Sequence, residues 1–237
     1  MKKSILATAL LTFIGFATLS AQDISLGAKI GYNWNNVSAP AFNGTLDFKK
    51  MTNVNFGLVA QIGLTDNFSI QPELNYTQKG FRMQASKDIT IYDVPIPLGV
   101  SAVTAIKYID MPVLAKYKFG GQGASGYIFA GPSVGYALSG NLETHAQVII
   151  DIKVASTLIN LDNVNYNRFE VGGVVGAGFE VPIGNAKLFA EGRYTHGFNE
   201  VYEVPIIGAK VKNQSFGVSA GFTVPFGGGN TKARPKA

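Results

Sequence analysis

The fold is decided by a stretch near the carboxyl end of the chain, Phe216-Gly217-Val218-Ser219-Ala220-Gly221-Phe222-Thr223-Val224-Pro225-Phe226. Its even positions are all apolar, whereas its odd positions are glycine, serine, threonine and one proline. Successive side chains of a β-strand point to opposite faces, so this period of two predicts a strand with one apolar face.

Seven earlier segments alternate in the same way, with interruptions at Leu114 and Phe129. They start near Ile24, Val54, Phe68, Ile109, Ile128, Phe169 and Leu188. A tilted strand needs about 9–11 residues to cross a membrane, and we expect each of the eight segments to do so.

The connections between the predicted strands differ in length in a regular order. Three of them are short turns, at Thr65–Asn67, Gly120–Ser125 and Pro182–Ala186. The other four are long, at Val37–Thr52, Gly80–Thr104, Ser139–Asn167 and Phe198–Lys212. Transmembrane barrels alternate short periplasmic turns with long outside loops. The sequence therefore predicts an all-β fold, an eight-stranded antiparallel up-and-down transmembrane β-barrel.

The orientation of the apolar face separates this fold from a soluble, lipocalin-like carrier, in which that face would line the interior. The apolar face carries many large aromatic side chains, and the lumen of an eight-stranded barrel is too narrow for them. We therefore expect them to face lipid and to form two girdles at the membrane boundaries. The predicted girdle residues are Tyr32, Trp34, Phe56, Phe68, Tyr76, Tyr117, Phe119, Tyr136, Phe169, Phe179, Tyr194 and Phe226.

The polar face carries equal numbers of basic and acidic residues. Isolated charges in a dry lumen would be very costly, so we expect these residues to pair in a hydrogen-bonded network that plugs the barrel. The alternative is a gate or narrow ion path. The predicted network consists of Lys29, Lys116, Lys118, Arg168, Arg193, Glu73, Asp110, Glu170, Glu180 and Glu191.

Composition excludes several classes of protein. The chain is 46% hydrophobic and has no cysteine, which excludes a disordered protein, a disulfide framework and a thiol nucleophile. The net charge of +5 comes from five basic residues near the two ends, Lys2, Lys3, Lys232, Arg234 and Lys236. The rest of the chain is neutral, so we expect no nucleic-acid partner.

The first 21 residues have the layout of a secretory signal peptide, with two lysines, an apolar run and Ser20-Ala21 before the expected cleavage site. The apolar run is shorter than the ~20 residues that a membrane helix needs. A second uncharged run, Phe119–Leu142, is rich in glycine and contains Pro132, which opposes a helix. The predicted organisation is a signal peptide at 1–21, the barrel at 22–226 and a polar basic tail at 227–237.

Motifs that suggest catalysis lack their usual context. Gly131–Gly135 matches G-x-S-x-G and Gly121–Gly126 matches G-x-G-x-x-G, but neither precedes a predicted helix. Of the two histidines, His145 lies in a long loop, and His196 would need Glu200 or Asp110 as a partner to act as a rim enzyme. The parity of His196 places it on the lipid-facing side. We therefore expect no catalytic residue, no cofactor and no metal site.

The long loops contain alternating segments of their own, at Lys87–Tyr92, Val100–Lys107 and Gln147–Val154. They predict hairpins that continue the strands beyond the bilayer. Exposed strand edges can pair with another chain, so a protein or ligand is a possible partner there. Alternatively, the loops cover one another.

The segment Tyr108–Tyr117 resembles the fourth strand of the PorT-like outer-membrane β-barrel family, and Gly131–Tyr136, Phe169–Glu180 and Arg193-Tyr194 resemble its later strands. The resemblance implies an eight-stranded barrel in the outer membrane of a Gram-negative bacterium, and it implies no reaction. The end of the last strand at Phe226 is similar to the terminal motif by which barrel-insertion machinery recognises its clients.

The expected function is that of an integral outer-membrane barrel with a plugged lumen and long extracellular hairpins. Its role would be structural, adhesive or partner-binding, and its partners would be outer-membrane lipids, the insertion machinery and a protein or ligand at the loops. The alternatives are a narrow solute or ion channel, a rim enzyme and a soluble carrier.

Overall fold

The computed structural model describes residues 23–38, 47–91, 94–121, 123–147, 151–159, 161, 166–204 and 209–226, and almost all of these residues lie in strands. The predicted signal peptide and tail lie outside these residues. The strands are β1 (Asp23–Ser38), β2 (Asp47–Lys49), β3 (Met51–Gly63), β4 (Phe68–Ile91), β5 (Val94–Gly120), β6 (Ser125–Gln147), β7 (Asp151–Ile159), β8 (Phe169–Ile183), β9 (Ala186–Gly197), β10 (Tyr202–Val204) and β11 (Ala209–Pro225). Among the described residues, no helix is long and apolar enough to cross a membrane.

Eight of these strands form a closed antiparallel barrel in the order β1-β3-β4-β5-β6-β8-β9-β11, and β11 pairs with β1 to close it. Beyond the last strand, the backbone N–H of Phe226 donates to the carbonyl oxygen of Ile24 at 2.7 Å. The predicted fold class is confirmed. The end of the barrel with the three short turns is called the turn end below, and the opposite end is the loop end.

The strands at the loop end extend into two of the predicted long loops, as the alternating segments there predict. β4 and β5 stay paired from Phe68 and Tyr117 to Ile91 and Val94, so much of the predicted loop Gly80–Thr104 is strand. The end of β6 pairs with β7 between Gly140 and Ile159, within the predicted loop Ser139–Asn167. The run Phe119–Leu142 belongs to β5, a turn and β6, in agreement with the rejection of a helix there.

The outer surface of the barrel is apolar. Leu58 is 61% exposed, Phe56 54% and Phe222 45%. Trp34 packs on the same outer face, with its ring 5.2 Å from Tyr32 and 5.8 Å from Phe216. Most of the large apolar side chains therefore point outward, as predicted, and the alternative of a soluble carrier with this face turned inward is wrong.

The residues that interrupt the alternation, Leu114 and Phe129, point into the lumen and are buried there. Space for the large lumen side chains comes from glycines on neighbouring strands. A Cβ at Gly176 would overlap the ring of Phe129, and one at Gly178 would overlap the ring of Tyr127. The lumen is filled because wide side chains on one strand lie beside glycines on the next.

Substitution of Gly176 tests this packing. We expect Gly176→Ala to lower the free energy of unfolding by about 1–3 kcal/mol, because the methyl group overlaps both Phe129 and the backbone carbonyl of Gly192. The matched control is Gly192→Ala on the adjacent strand, where the nearest atom to the added Cβ is 3.9 Å away. Urea unfolding of the refolded variants in lipid vesicles measures the free energy of unfolding of each. Equal free energies for Gly176→Ala and Gly192→Ala would contradict the packing argument.

Candidate functional site in the barrel lumen

The centre of the lumen holds four buried charged residues, here called the central cluster: Lys29, Glu73, Glu191 and Arg193. Lys29 Nζ lies 2.6 Å from Glu73 Oε2 and 3.4 Å from Glu191 Oε1. The guanidinium of Arg193 donates to both oxygens of Glu73, at 2.9 and 3.1 Å, and also to Glu191. Since β1, β4 and β9 are not neighbours in the sheet, the contacts of Glu73 with Lys29 and Arg193, and that of Lys29 with Glu191, cross the lumen, whereas Arg193 and Glu191 lie on the same strand.

Nearer the loop end lies a second group, the upper cluster, formed by Lys79, Asp110 and Glu170. Lys79 Nζ is 2.9 Å from Asp110 Oδ1 and 2.9 Å from Glu170 Oε1. Lys79 was missed by the sequence argument, which ended the third predicted strand at Thr77. The signal was present, because Lys79 has the same parity as Glu73 and β4 continues through it.

Aromatic hydroxyl groups lie above the upper cluster. Lys79 Nζ is 4.5 Å from the centre of the Tyr108 ring, and the hydroxyl oxygens of Tyr108 and Tyr166 are 2.6 Å apart. Burial raises the pKa of Tyr166, which lies in the connection before β8, to about 12. Tyr166 is therefore neutral and can donate a hydrogen bond at physiological pH.

The lumen also contains one ion pair nearer the turn end and a group of apolar side chains. The lower pair joins Lys116 Nζ and Glu180 Oε2 at 2.7 Å, and the Lys116 ammonium lies 3.8 Å from the centre of the Tyr127 ring. Tyr127 also donates to Glu191 at 3.2 Å, which connects the lower pair with the central cluster. The apolar layer consists of Val59, Leu114, Tyr127, Phe129, Val174 and Phe189.

Two residues of the predicted network, Lys118 and Arg168, lie near strand ends, and their part in the network stays a prediction. Lys118 is near the turn end, where it lines an open cavity of about 300 Å³ together with Lys187. Arg168 precedes β8 and donates to the backbone carbonyls of Ala137 and Leu138 at 3.4 and 3.3 Å. Both residues are close to strand ends, where solvent or backbone oxygens are available to a cation.

The aromatic residues predicted to form girdles lie on the outer face. Trp34, Phe68 and Tyr136 are half-buried. The others are exposed: Tyr32, Phe56, Tyr76, Tyr117, Phe119, Phe169, Phe179, Tyr194 and Phe226. Some are cross-strand neighbours, such as Phe68 and Tyr117, and the rings of Tyr136 and Phe169 are 5.0 Å apart. Their position at the two lipid boundaries stays a prediction.

His196 lies outside the lumen. Its ring stacks on Tyr194 and contacts Phe198, and its Nδ1 is 3.4 Å from the Tyr194 hydroxyl. Asp110 points into the lumen, on the other side of the barrel wall, so His196 and Asp110 do not form a pair. The side chain of His145 is outside the described residues. Within the described part of the chain, no group of three or more His, Cys, Asp or Glu could hold a metal ion.

Comparison with known proteins places the chain among bacterial surface barrels. A family model described as outer membrane protein beta-barrel domain matches residues 20–203. No curated protein sequence matches significantly.

Several crystal structures are similar at low sequence identity. Neisserial surface protein A is 15% identical, with 86% of this chain and 97% of that chain covered and a TM-score of 0.44. OprG from Pseudomonas aeruginosa is 13% identical, with 88% and 98% covered and a TM-score of 0.47. Ail, the attachment invasion locus protein of Yersinia pestis, is 12% identical, with 83% and 97% covered and a TM-score of 0.34.

The family match covers most of the chain, and the closed barrel with its apolar outer surface agrees with it. The protein therefore belongs to the outer membrane protein β-barrel domain family and resides in the outer membrane of a Gram-negative bacterium.

Proposed function

We propose that this protein is a plugged outer-membrane barrel whose role is structural, adhesive or partner-binding and is not catalytic. The observation that carries the proposal is the central cluster, in which Lys29, Glu73, Glu191 and Arg193 bond to one another across the lumen. Buried apolar side chains of the apolar layer fill the lumen beside it: Val59 is the cross-strand neighbour of Glu73, and the Phe129 ring lies 5.3 Å from the guanidinium carbon of Arg193. A solute would have to displace both.

The energetics of the central cluster favour a fixed plug. Removal of one partner from a buried ion pair leaves an uncompensated charge and typically costs about 3–5 kcal/mol. Glu73 has two cationic partners and also accepts hydrogen bonds from the side-chain amides of Gln71 and Asn75. Opening the lumen would therefore break several charge-assisted hydrogen bonds at once.

A narrow solute or ion channel is the second candidate, because the lumen is open at its turn end. The cavity of about 300 Å³ there is separated from the loop end by the lower pair, the apolar layer and the central cluster. A channel would need these groups to move together, which makes it the weaker candidate.

The loop end supports binding of a partner. Beyond the barrel, β2, β4, β5, β6 and β7 form one continuous antiparallel sheet. In the described residues β7 pairs with β6 alone, so its other edge has backbone groups that an extended segment of another protein could pair with. We propose that this extracellular sheet is the binding surface.

Membership in the PorT-like branch of the family is also a proposal. It is supported by the segment Tyr108–Tyr117 in β5, which contributes Asp110 and Lys116 to the lumen. The outward-facing Phe222, Val224 and Phe226 at the end of the chain's last strand support recognition by barrel-insertion machinery. The apolar outer face supports the proposal that this surface contacts the lipids of the outer membrane.

The stability of the plug can be tested at Arg193. We expect Arg193→Ala to lower the free energy of unfolding by about 3–5 kcal/mol, because Glu73 and Glu191 lose a buried partner. The control is Lys118→Ala, at the open turn-end cavity, where we expect a change within about 0.5 kcal/mol. Urea unfolding in lipid vesicles compares the two, and a loss for Lys118→Ala as large as that for Arg193→Ala would argue against the plug.

Electrical recording separates the plug from a channel. The refolded wild-type protein in a planar bilayer with concentrated KCl is expected to give no stable conductance steps, because the central cluster and the apolar layer block the lumen. Removal of both obstructions in the variant Phe129→Ala/Arg193→Ala is expected to produce steps. Regular steps from the wild type would favour the channel.

Binding by the loop-end sheet can be tested with two shortened hairpins. Glu143 pairs with Ser156, so residues 144–155 can be replaced by Asn-Gly, a change that removes most of β7. The control replaces residues 88–97 by Asn-Gly at the tip of β4 and β5, where Lys87 pairs with Leu98. In cross-linking pull-downs from intact outer membranes, the first change is expected to abolish specific capture and the second to retain it. Equal capture by both variants would exclude the β7 edge.

A further inference from the structure

The cavity at the turn end is the mouth of the lumen on that side of the barrel. Its volume is about 300 Å³, and pockets that bind small molecules start at about this size. The turn between β3 and β4 forms one part of its wall. Polar residues of five strands form much of the rest: Ser25 on β1, Gln61 on β3, Ser69 on β4, Lys118 on β5 and Lys187 on β9.

Three lysines of the lumen lie near this cavity. Lys116 is paired with Glu180 at 2.7 Å, and Lys118 is the next residue of β5 with the same parity. Lys187 extends from β9 and lies close enough to Lys116 for the two charges to repel each other. Among the described residues, neither Lys118 nor Lys187 has an ion-pair partner. Both ammonium groups are therefore available to an anion from solution.

Two further acidic residues lie at this end of the barrel. Asp66 is in the turn between β3 and β4, where it is exposed and lines the cavity. It forms no ion pair with a lysine of the described part of the chain. Asp23 is the first residue of β1, and its side chain lies outside the described residues. Both acids are considered in the test below.

The hydroxyl group of Ser69 gives an independent indication of a ligand. Ser69 lines the cavity and is buried, with 6% of its surface exposed. Its Oγ accepts a hydrogen bond from Gln61 Nε2 at 3.2 Å, but its own proton has no acceptor in the described residues. Ser69 is also the cross-strand neighbour of Lys116, which places this hydroxyl beside the lysines. A buried donor without an acceptor is costly, so a ligand oxygen at this position would be stabilising.

We propose that the turn-end cavity binds a phosphate group, held by Lys118, Lys187 and the Ser69 hydroxyl. A phosphate has several acceptor oxygens, and its hydrogen bonds with lysine are strengthened by charge. The cavity is larger than a phosphate ion, so the group can belong to a small phosphorylated molecule or to a lipid headgroup. Leu64 and Phe68 in the cavity wall would be compatible with the lipid. The short turns of outer-membrane barrels face the periplasm, from which the ligand would enter.

Calorimetric titration of the full-length refolded protein tests the site. The protein is kept in dodecyl maltoside, a detergent without a phosphate group, and is titrated with inorganic phosphate in chloride buffer at constant ionic strength. We expect saturable binding of one phosphate per chain. Lys118→Gln and Lys187→Gln are each expected to raise the Kd about 10-fold or more, because each removes a charge-assisted hydrogen bond. The matched control is Lys50→Gln at the loop end, where the lysine is exposed, and its Kd is expected to equal that of the wild type.

Two results would overturn the proposal. Absence of saturable binding would mean that Asp66 or Asp23 already balances the two lysines. An equal rise of the Kd in Lys50→Gln and Lys187→Gln would mean that phosphate responds to the overall charge and not to the cavity. Urea unfolding of each variant in chloride alone verifies that the weaker binding does not arise from a loss of folded protein.

A competition experiment distinguishes the two sources of the phosphate group. The wild type is titrated with glycerol 3-phosphate in pure dodecyl maltoside and in micelles that also contain phosphatidylglycerol. An unchanged Kd in the mixed micelles supports a free phosphorylated molecule as the ligand. A Kd that rises with the fraction of phosphatidylglycerol in the wild type, and does not rise in Lys187→Gln, supports the lipid headgroup.

Discussion

The narrow lumen of an eight-stranded barrel is the constraint on which the rest of this structure depends. Strands of this number enclose a space that is filled by their own inward side chains. Every charge that points inward must therefore find a partner there, because little water can reach it. The ion pairs of Lys29 and Arg193 with Glu73 and Glu191 satisfy this requirement, and those of Glu73 do so between strands that are not neighbours.

Filling the lumen also determines where glycine occurs. Phe129 and Tyr127 are too large to lie opposite other side chains, and Gly176 and Gly178 on β8 leave the space that their rings occupy. The inner and outer faces of the barrel wall therefore place different requirements on their side chains. The outer face needs apolar surface in contact with lipid, whereas the inner face needs complementary volumes and paired charges.

The layered lumen connects these packing rules with the proposed role. Lys116 and Glu180 lie nearer the turn end, the apolar layer and the central cluster follow, and Lys79 with its two carboxylates lies nearer the loop end. In the proposed role, the extension of β4, β5, β6 and β7 beyond the barrel is the described part of the protein that binds other molecules.

The sequence by itself determined the eight strands, their order along the chain and the outward direction of Phe56 and Phe222, because alternation with a period of two depends only on neighbouring residues. It also indicated that Glu73 and Arg193 point into the same lumen. It did not include Lys79 in the network or assign Leu114 and Phe129 to an apolar layer. Those features were decided by the tertiary structure, because strand stagger and barrel closure set the height at which residues on different strands meet. Whether an inward charge meets a carboxylate, an aromatic ring or solvent depends on that height, which no single strand encodes.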